Sequence, residues 1–328
     1  MSGTNQFQPF AIGSGANALT PSAYAALTTL ISQGFQSGVA SSSQVNTVLR
    51  QASFMASALG QVVANAGINA NDDGNFANLV SALQTVLIQK TQVVGSSRNV
   101  NMTLTSASAS ATFLADEIVV ESSLGGAAYQ LASFSKVLNL SITGVGGMDA
   151  GTAPVSGFVA VYAIYNPTTN TTSVLGTNAT SAIAPEIYAG SNMPSGYTAS
   201  ALISVWRTNA SSQFVAGTQN DRQVSFPLTN IAFITSNSVS GSINASSVIP
   251  KNAKSVSGQL AMDTTGGYTF FGTTFGNGQA VLDWYGYAAQ ARTFFSDLAV
   301  ITPQTFTYSV GNGSVAWNSG FWLYSYQF

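Results

Sequence analysis

Near the end of the chain, Asp283-Trp284-Tyr285-Gly286-Tyr287 is followed by Gln290 and Arg292, and Trp317 stands apart further on. Rings of this kind stack on the apolar faces of sugars, with Asp, Gln and Arg beside them bonding hydroxyls, and they also anchor protein interfaces. The chemistry this stretch could do is therefore binding. Alternate residues of a strand from Gln279 to Tyr287 must point inward, so part of this ring set belongs to a core. Tyr287, Gln290 and Arg292 are the candidates for an outer surface, because Tyr287 to Gln290 reads as the tip of a loop; Trp284 and Trp317 join them as candidate binding residues.

Reactive chemistry has little to draw on. The eleven Asp and Glu are scattered, and Glu117 with Glu121, on one side of a strand, is the one pair that could flank a glycosidic bond. Read plainly, the two are solvated strand ends. Asn71, Asp72, Asp73 and Asn75 gather oxygens but lack the spacing and closing glutamate of a calcium loop, and they suit the positive end of a helix. The sequence contains no histidine and no cysteine, which removes imidazole chemistry, thiolate sites and disulfides. No catalytic residue, metal or cofactor is expected.

Charged residues make up 6% of the 328, and the formal net charge is −2, against roughly a quarter charged in ordinary domains. Without a basic cluster there is no footprint for nucleic acid. Solubility must come from neutral hydrogen bonding or from surface hidden in an assembly. The first residues, MSGTNQFQPFAIG, lack a signal-peptide pattern, and no run of about eighteen apolar residues occurs, so synthesis in a cytoplasm without membrane insertion is expected.

These residues must be positioned by elements of two kinds. Met1 to Gly15, with Phe7, Pro9 and Phe10, reads as an extended arm without alternation that packs onto something else. Thr20-Pro21 starts a helix that Gly34 stops. A second runs from about Ser43 to Gly67, placing Val45, Val48, Leu49, Ala52, Met55, Ala56, Leu59, Val62 and Val63 in a run of three and four residue steps, with Arg50 nearly its only charge. A third runs from Asn71–Asp73 to Lys90. The polar faces carry Ser, Gln, Asn and Thr, so the helices are expected to bury a second face against copies of themselves.

From Gln92 the period becomes two. The apolar run from Ser156 to Asn170 reads as a central strand, turned at Asn166-Pro167 into Thr171 to Gly176. The Gly-rich segment Gly144 to Gly151 reads as a flexible joint or a loop near a molecular axis. Strands follow from Ala199 onward, including Gln223 to Phe226 and Asn230 to Thr235 as two, with Asn277-Gly278 and Asn312-Gly313 as hairpin turns. The closing FWLYSYQF carries Trp322, Tyr324, Tyr326 and Phe328 on one face. The fold class expected is α+β and multidomain: an N-terminal helical unit followed by antiparallel β-sandwich, jelly-roll-like domains. The segments are residues 1–90, 91–222 and 223–328.

Several stretches together resemble tailed-bacteriophage tail proteins of the tail-fibre or receptor-binding kind: FQPFAIGSGANALT, GFQSGVASSSQVNTVLRQASFMASALGQ, NDDGNFANLVSALQ, ADEIVVESSLGG, GGMDAGTAPVSGFVAVYAIYNP, YAGSNMPSGYTASALISVW and IPKNAKSVSGQLAM. The likeness runs from Phe7 to about Met262 and is loose beyond. It implies a virion protein, a homotrimer, docked on the tail tip or baseplate through its N-terminal unit. Phe7, Pro9, Phe10 and Arg50 are the candidates for that attachment. The C-terminal domain would meet a glycan or protein receptor on the bacterial surface. The alternatives are an adaptor or structural fibre held at both ends, and a polysaccharide depolymerase.

Overall fold

The computed structural model describes residues 3–89, 92–235, 238–264, 269–276, 281–288, 290–312 and 317–328. The chain divides into two compact units, residues 1–91 and 92–328.

In the first unit Thr20 caps helix α1 (Pro21–Ala25), its Oγ1 accepting the Ala23 amide at 3.2 Å with proline at the first helical position. The single helix expected up to Gly34 is interrupted. Leu27 adopts a non-helical φ/ψ of −85°/60°, and α2 (Thr28–Gln33) starts afresh before Gly34, at φ 72°, ends it. Helix α3 spans Ser42–Asn65 and α4 spans Phe76–Gln89. The last begins later than expected because Asn75 is its cap, Oδ1 accepting the Asn78 amide at 3.2 Å, while Asp73 Oδ1 accepts the Asn75 amide at 2.8 Å. Val63, Ala70 and Val86 are buried together, with Phe7, Leu79 and Leu83 half-buried around them. Among the described residues no helix is long and apolar enough to cross a membrane.

The N-terminal arm packs on its own unit, and its burial does alternate: Gly3, Asn5, Phe7 and Pro9 are half-buried, and the residues between them are exposed. It is tied along α3 by Gly3 N to Ala64 O (2.8 Å), Asn5 Nδ2 to Ser57 O (2.9 Å), Phe10 N to Ser53 Oγ (2.9 Å) and Leu19 N to Thr47 Oγ1 (2.8 Å). A polar row on one face of α3 thus satisfies backbone groups that an extended segment would otherwise leave to water.

In the second unit every described strand-to-strand ladder is antiparallel, and only isolated bridges of the Gly-rich loop at Met148, to Thr143 and Gly176, are parallel. Its strands are β1 (Ser97–Arg98), β2 (Asn101–Leu104), β3 (Ser110–Glu121), β4 (Ala128–Asn139), β5 (Phe158–Asn166), β6 (Thr171–Asn178), β7 (Ala199–Arg207) and β8 (Gly217–Asn220). They continue as β9 (Gln223–Ile234), β10 (Ser238–Asn244), β11 (Ser255–Thr264), β12 (Thr269–Gly276), β13 (Val281–Ala288), β14 (Gln290–Ala299), β15 (Thr305–Asn312) and β16 (Trp317–Gln327). One sheet runs β14-β11-β16-β9-β8-β2-β3-β7-β5-β6, with β1 and β4 joined to β3; the other runs β10-β15-β12-β13. Segments 91–222 and 223–328 are not separate domains, since β8 pairs with β9 across the expected boundary and the large sheet continues through it.

Strand β5 is buried at every residue but Tyr165, flanked by β6 and β7, as its unbroken apolar run requires. Asn166 closes the hairpin, its Oδ1 accepting the amides of Thr168 (3.0 Å) and Thr169 (3.2 Å). The Gly144–Gly151 segment is no flexible joint. Gly146 N bonds Val174 O (2.9 Å), Gly176 N bonds Gly147 O (2.8 Å), Asp149 N bonds Gly176 O (2.7 Å), and Met148 is fully buried. The loop is laid along β6 as backbone pairing. Gly147 permits this, because a Cβ there would stand 2.3 Å from Ile142 O.

The two sheets face each other across an aromatic core. Phe275 of β12 lies 5.5 Å from Phe295 of β14, 5.2 Å from Phe321 of β16 and 5.1 Å from Phe306 of β15, and is itself fully buried. Strand β9 is continuous where two strands were expected. Pro227 falls where five residues of β9, Ser225 to Thr229, oppose the three from Ser325 to Leu323 with a shift of register, and at such a bulge the missing N–H leaves no ladder bond unmade. The expected turn at Asn277-Gly278, and Gly313, lie outside the described residues.

Candidate functional site

Four of the candidate binding residues lie on edge strands, two in each sheet, and Trp317 lies on an interior strand. Strand β13, carrying Trp284 opposite Thr273 and Tyr287 opposite Phe270, is an edge of the smaller sheet. Strand β14, carrying Gln290 opposite Asp263 and Arg292 opposite Ala261, is an edge of the larger one. Strands β13 and β14 therefore do not pair with each other as a hairpin. These consecutive strands take their partners in different sheets. Trp317 begins β16, opposite Thr264. The side chains of Trp284, Tyr287 and Trp317 lie outside the described part.

Gln290 is exposed. Arg292 Nη1 and Nη2 bond Asp263 Oδ1 and Oδ2 at 3.0 and 3.2 Å, and Nη1 also reaches Ala291 O at 2.9 Å. With 43% of the Arg292 side chain exposed, the planar fork is oriented by Asp263 and retains N–H directions toward water. Asp263 comes beside Arg292 through strand pairing alone, and no spacing in the sequence singles it out. The three make a small polar patch able to bond hydroxyls or amides.

A second recess joins residues that no spacing connects. Tyr162 of β5 and Tyr188 meet edge to face, centroids 5.6 Å apart, in a cavity of about 170 Å³ lined also by Thr177, Asn178 and Ile183. Tyr162 Oη donates to Pro185 O at 2.9 Å; Tyr188 Oη donates to Asp149 Oδ2 at 2.8 Å and accepts the Asn192 amide at 3.2 Å. Burial raises the Tyr162 phenol far above its ordinary range. Burial and then the Asp149 bond push Tyr188 up to about 12. Both phenols stay neutral and serve as hydrogen-bonding groups.

Of the paired acids, Glu121 is buried and its Oε2 accepts the Gly125 amide at 3.0 Å, while exposed Gln130 bonds Glu117. Four strand steps separate them by roughly 13 Å, beyond the roughly 5 to 9.5 Å at which two carboxylates flank a glycosidic bond. No group of three or more potential metal ligands occurs among the described residues.

At the other end of the chain, Phe7 and Pro9 turn toward the arm's own unit, Phe10 is 46% exposed, and Arg50 Nη2 bonds Leu19 O at 2.9 Å. Arg50 also lines an open recess of about 430 Å³ with Ile12, Pro21, Gln51 and Phe54. Ile12 and Phe54 are more than half exposed, as is Phe76 on α4. The recess shows an apolar surface beside a positioned cation, the composition of a docking face. In comparisons with known proteins the chain matches no family model and no curated protein.

Proposed function

We propose that this chain is a structural protein of a bacteriophage tail, a tail fibre made in the host cytoplasm and carried in the virion as a homotrimer. Its first 90 residues attach to the tail tip or baseplate, and residues 223–328 bind a glycan or protein receptor on the bacterial surface. The observation that carries the reading is the contrast between the two units. Among its described residues the first buries Val63, Ala64, Ala70 and Val86 and exposes Phe10, Ile12, Phe54, Met55, Leu59 and Phe76, more apolar surface than a free-standing unit of its size leaves to water. The second closes a continuous core of its own. A part with little core and much exposed apolar surface, joined to a part with a large core, suits an attached root and an outward head. Sparse charge suits a head that works in uncontrolled salt. Gln290 and Arg292 with Asp263 are its candidate contact.

The test uses the intact chain. Added to host cells in excess, it is expected to block adsorption of the particle, and Arg292→Ala together with Gln290→Ala is expected to weaken the block at least tenfold. Antibody to residues 223–328 should decorate the free end of the tail in electron micrographs. Decoration at both ends, or adsorption unaffected by saturating protein, overturns receptor binding in favour of an adaptor.

A further inference from the structure

Helix α3 carries two different faces. The N-terminal arm and the residues after it lie along the one bearing Asn46, Thr47, Arg50, Ser53 and Ser57, which bond Asn17, Leu19, Leu19, Phe10 and Asn5 in turn. On the opposite side Val45, Val48, Ala52, Met55, Leu59 and Val62 succeed one another in alternating steps of three and four, the repeat that keeps one seam aligned along a gently supercoiled helix. This stripe is bare. Met55 is 60%, Leu59 45% and Val62 47% exposed, Ala52 is exposed, and Val45 and Val48 are only half-buried. It is about 26 Å long at 1.5 Å per residue.

We infer that α3 packs against α3 of identical copies of this chain through this stripe, as a parallel coiled coil. The occupant is argued from charge as well as period. Around a symmetry axis every charge meets its own copy, so a self-associating face must be free of charge or carry both signs. The only charged residue of α3 is Arg50, which the arm holds on the far face, and the positions flanking the stripe are Gln44, Gln51, Ala58, Leu49 and Ala56. A charged partner protein would find nothing to pair with; a second copy finds a matching apolar ladder. The parallel direction rests on the threefold reading above, since three equivalent helices around one axis must point the same way. The stripe itself does not.

The absence of cysteine makes the inference testable by disulfide trapping in the intact protein. Val62→Cys is expected to cross-link under mild oxidation, whereas Gln61→Cys, exposed on the opposite side, is not. In an antiparallel pair the two sulfurs introduced by Val62→Cys would lie roughly 25 Å apart. By sedimentation equilibrium the unaltered protein is expected near three times the 33.8 kDa chain, and Met55→Glu with Leu59→Glu near one. A three-chain mass that survives the double substitution, or equal trapping at residues 61 and 62, overturns the seam and leaves the trimer standing. A two-chain mass with trapping at residue 62 supports the seam and overturns the trimer. A single-chain mass for the unaltered protein overturns both.

Discussion

Replacing Phe275 with alanine tests whether the two sheets share one core. The ring is fully buried, with three other rings between 5.1 and 5.5 Å from its centre in both sheets. Truncating a buried phenylalanine costs about 3–5 kcal/mol, and loss of several ring contacts favours the upper half, about 4 kcal/mol. With a urea slope of about 3 kcal/mol/M the midpoint should fall by roughly 1.3 M. All four tryptophans, Trp206, Trp284, Trp317 and Trp322, lie in the second unit, so their fluorescence reports that unit alone. Phe233→Ala, removing a ring that is 55% exposed on β9, is the control and should cost under about 1 kcal/mol. A Phe275→Ala midpoint no lower than that of Phe233→Ala would refute the shared core.

Asn75→Ala removes the cap of α4 and should destabilise the first unit by about 1 kcal/mol, read as an earlier loss of helical circular dichroism with the tryptophan signal unchanged. Glu186 holds Arg222 through two bonds of 2.9 and 2.5 Å, and the Arg222 guanidinium lies 5.5 Å above the Phe328 ring. The Arg222 bond lowers the Glu186 carboxyl below its ordinary range. A lowered folded value gives stability that is present above the unfolded value and lost as pH falls through the folded one. Arg222→Ala should therefore cost about 1 kcal/mol at pH 7 and much less near pH 2.5, measured by urea titration at each pH. A difference independent of pH would show that the ion pair contributes nothing.

The local signals are legible where one element fixes its own form. The unbroken apolar run of β5, the turn at Asn166, the start at Thr20-Pro21 and the bounds of β7 can all be read from neighbouring residues. The break at Ala26-Leu27 cannot, because no glycine or proline marks it. Pro227 misleads in the opposite direction, since a bulge absorbs the proline that would otherwise end a strand. The candidate binding strip reads as a loop because sequence cannot say that β13 and β14 take partners in different sheets. Asp263 and Arg292 meet only through that pairing, as Asp149, Tyr162 and Tyr188 meet only through the folded loop. The bare stripe of α3 is visible as periodicity, but its exposure follows from the arm choosing the other face.

The glycine-rich loop beside β6 bears on solubility. Strand β6 ends the large sheet, and a terminal strand with free amides and carbonyls recruits other chains. By bonding Val174 and Gly176 the loop occupies those groups. Gly147→Val, which would drive the loop off, should therefore show itself first as concentration-dependent clumping of still-folded molecules.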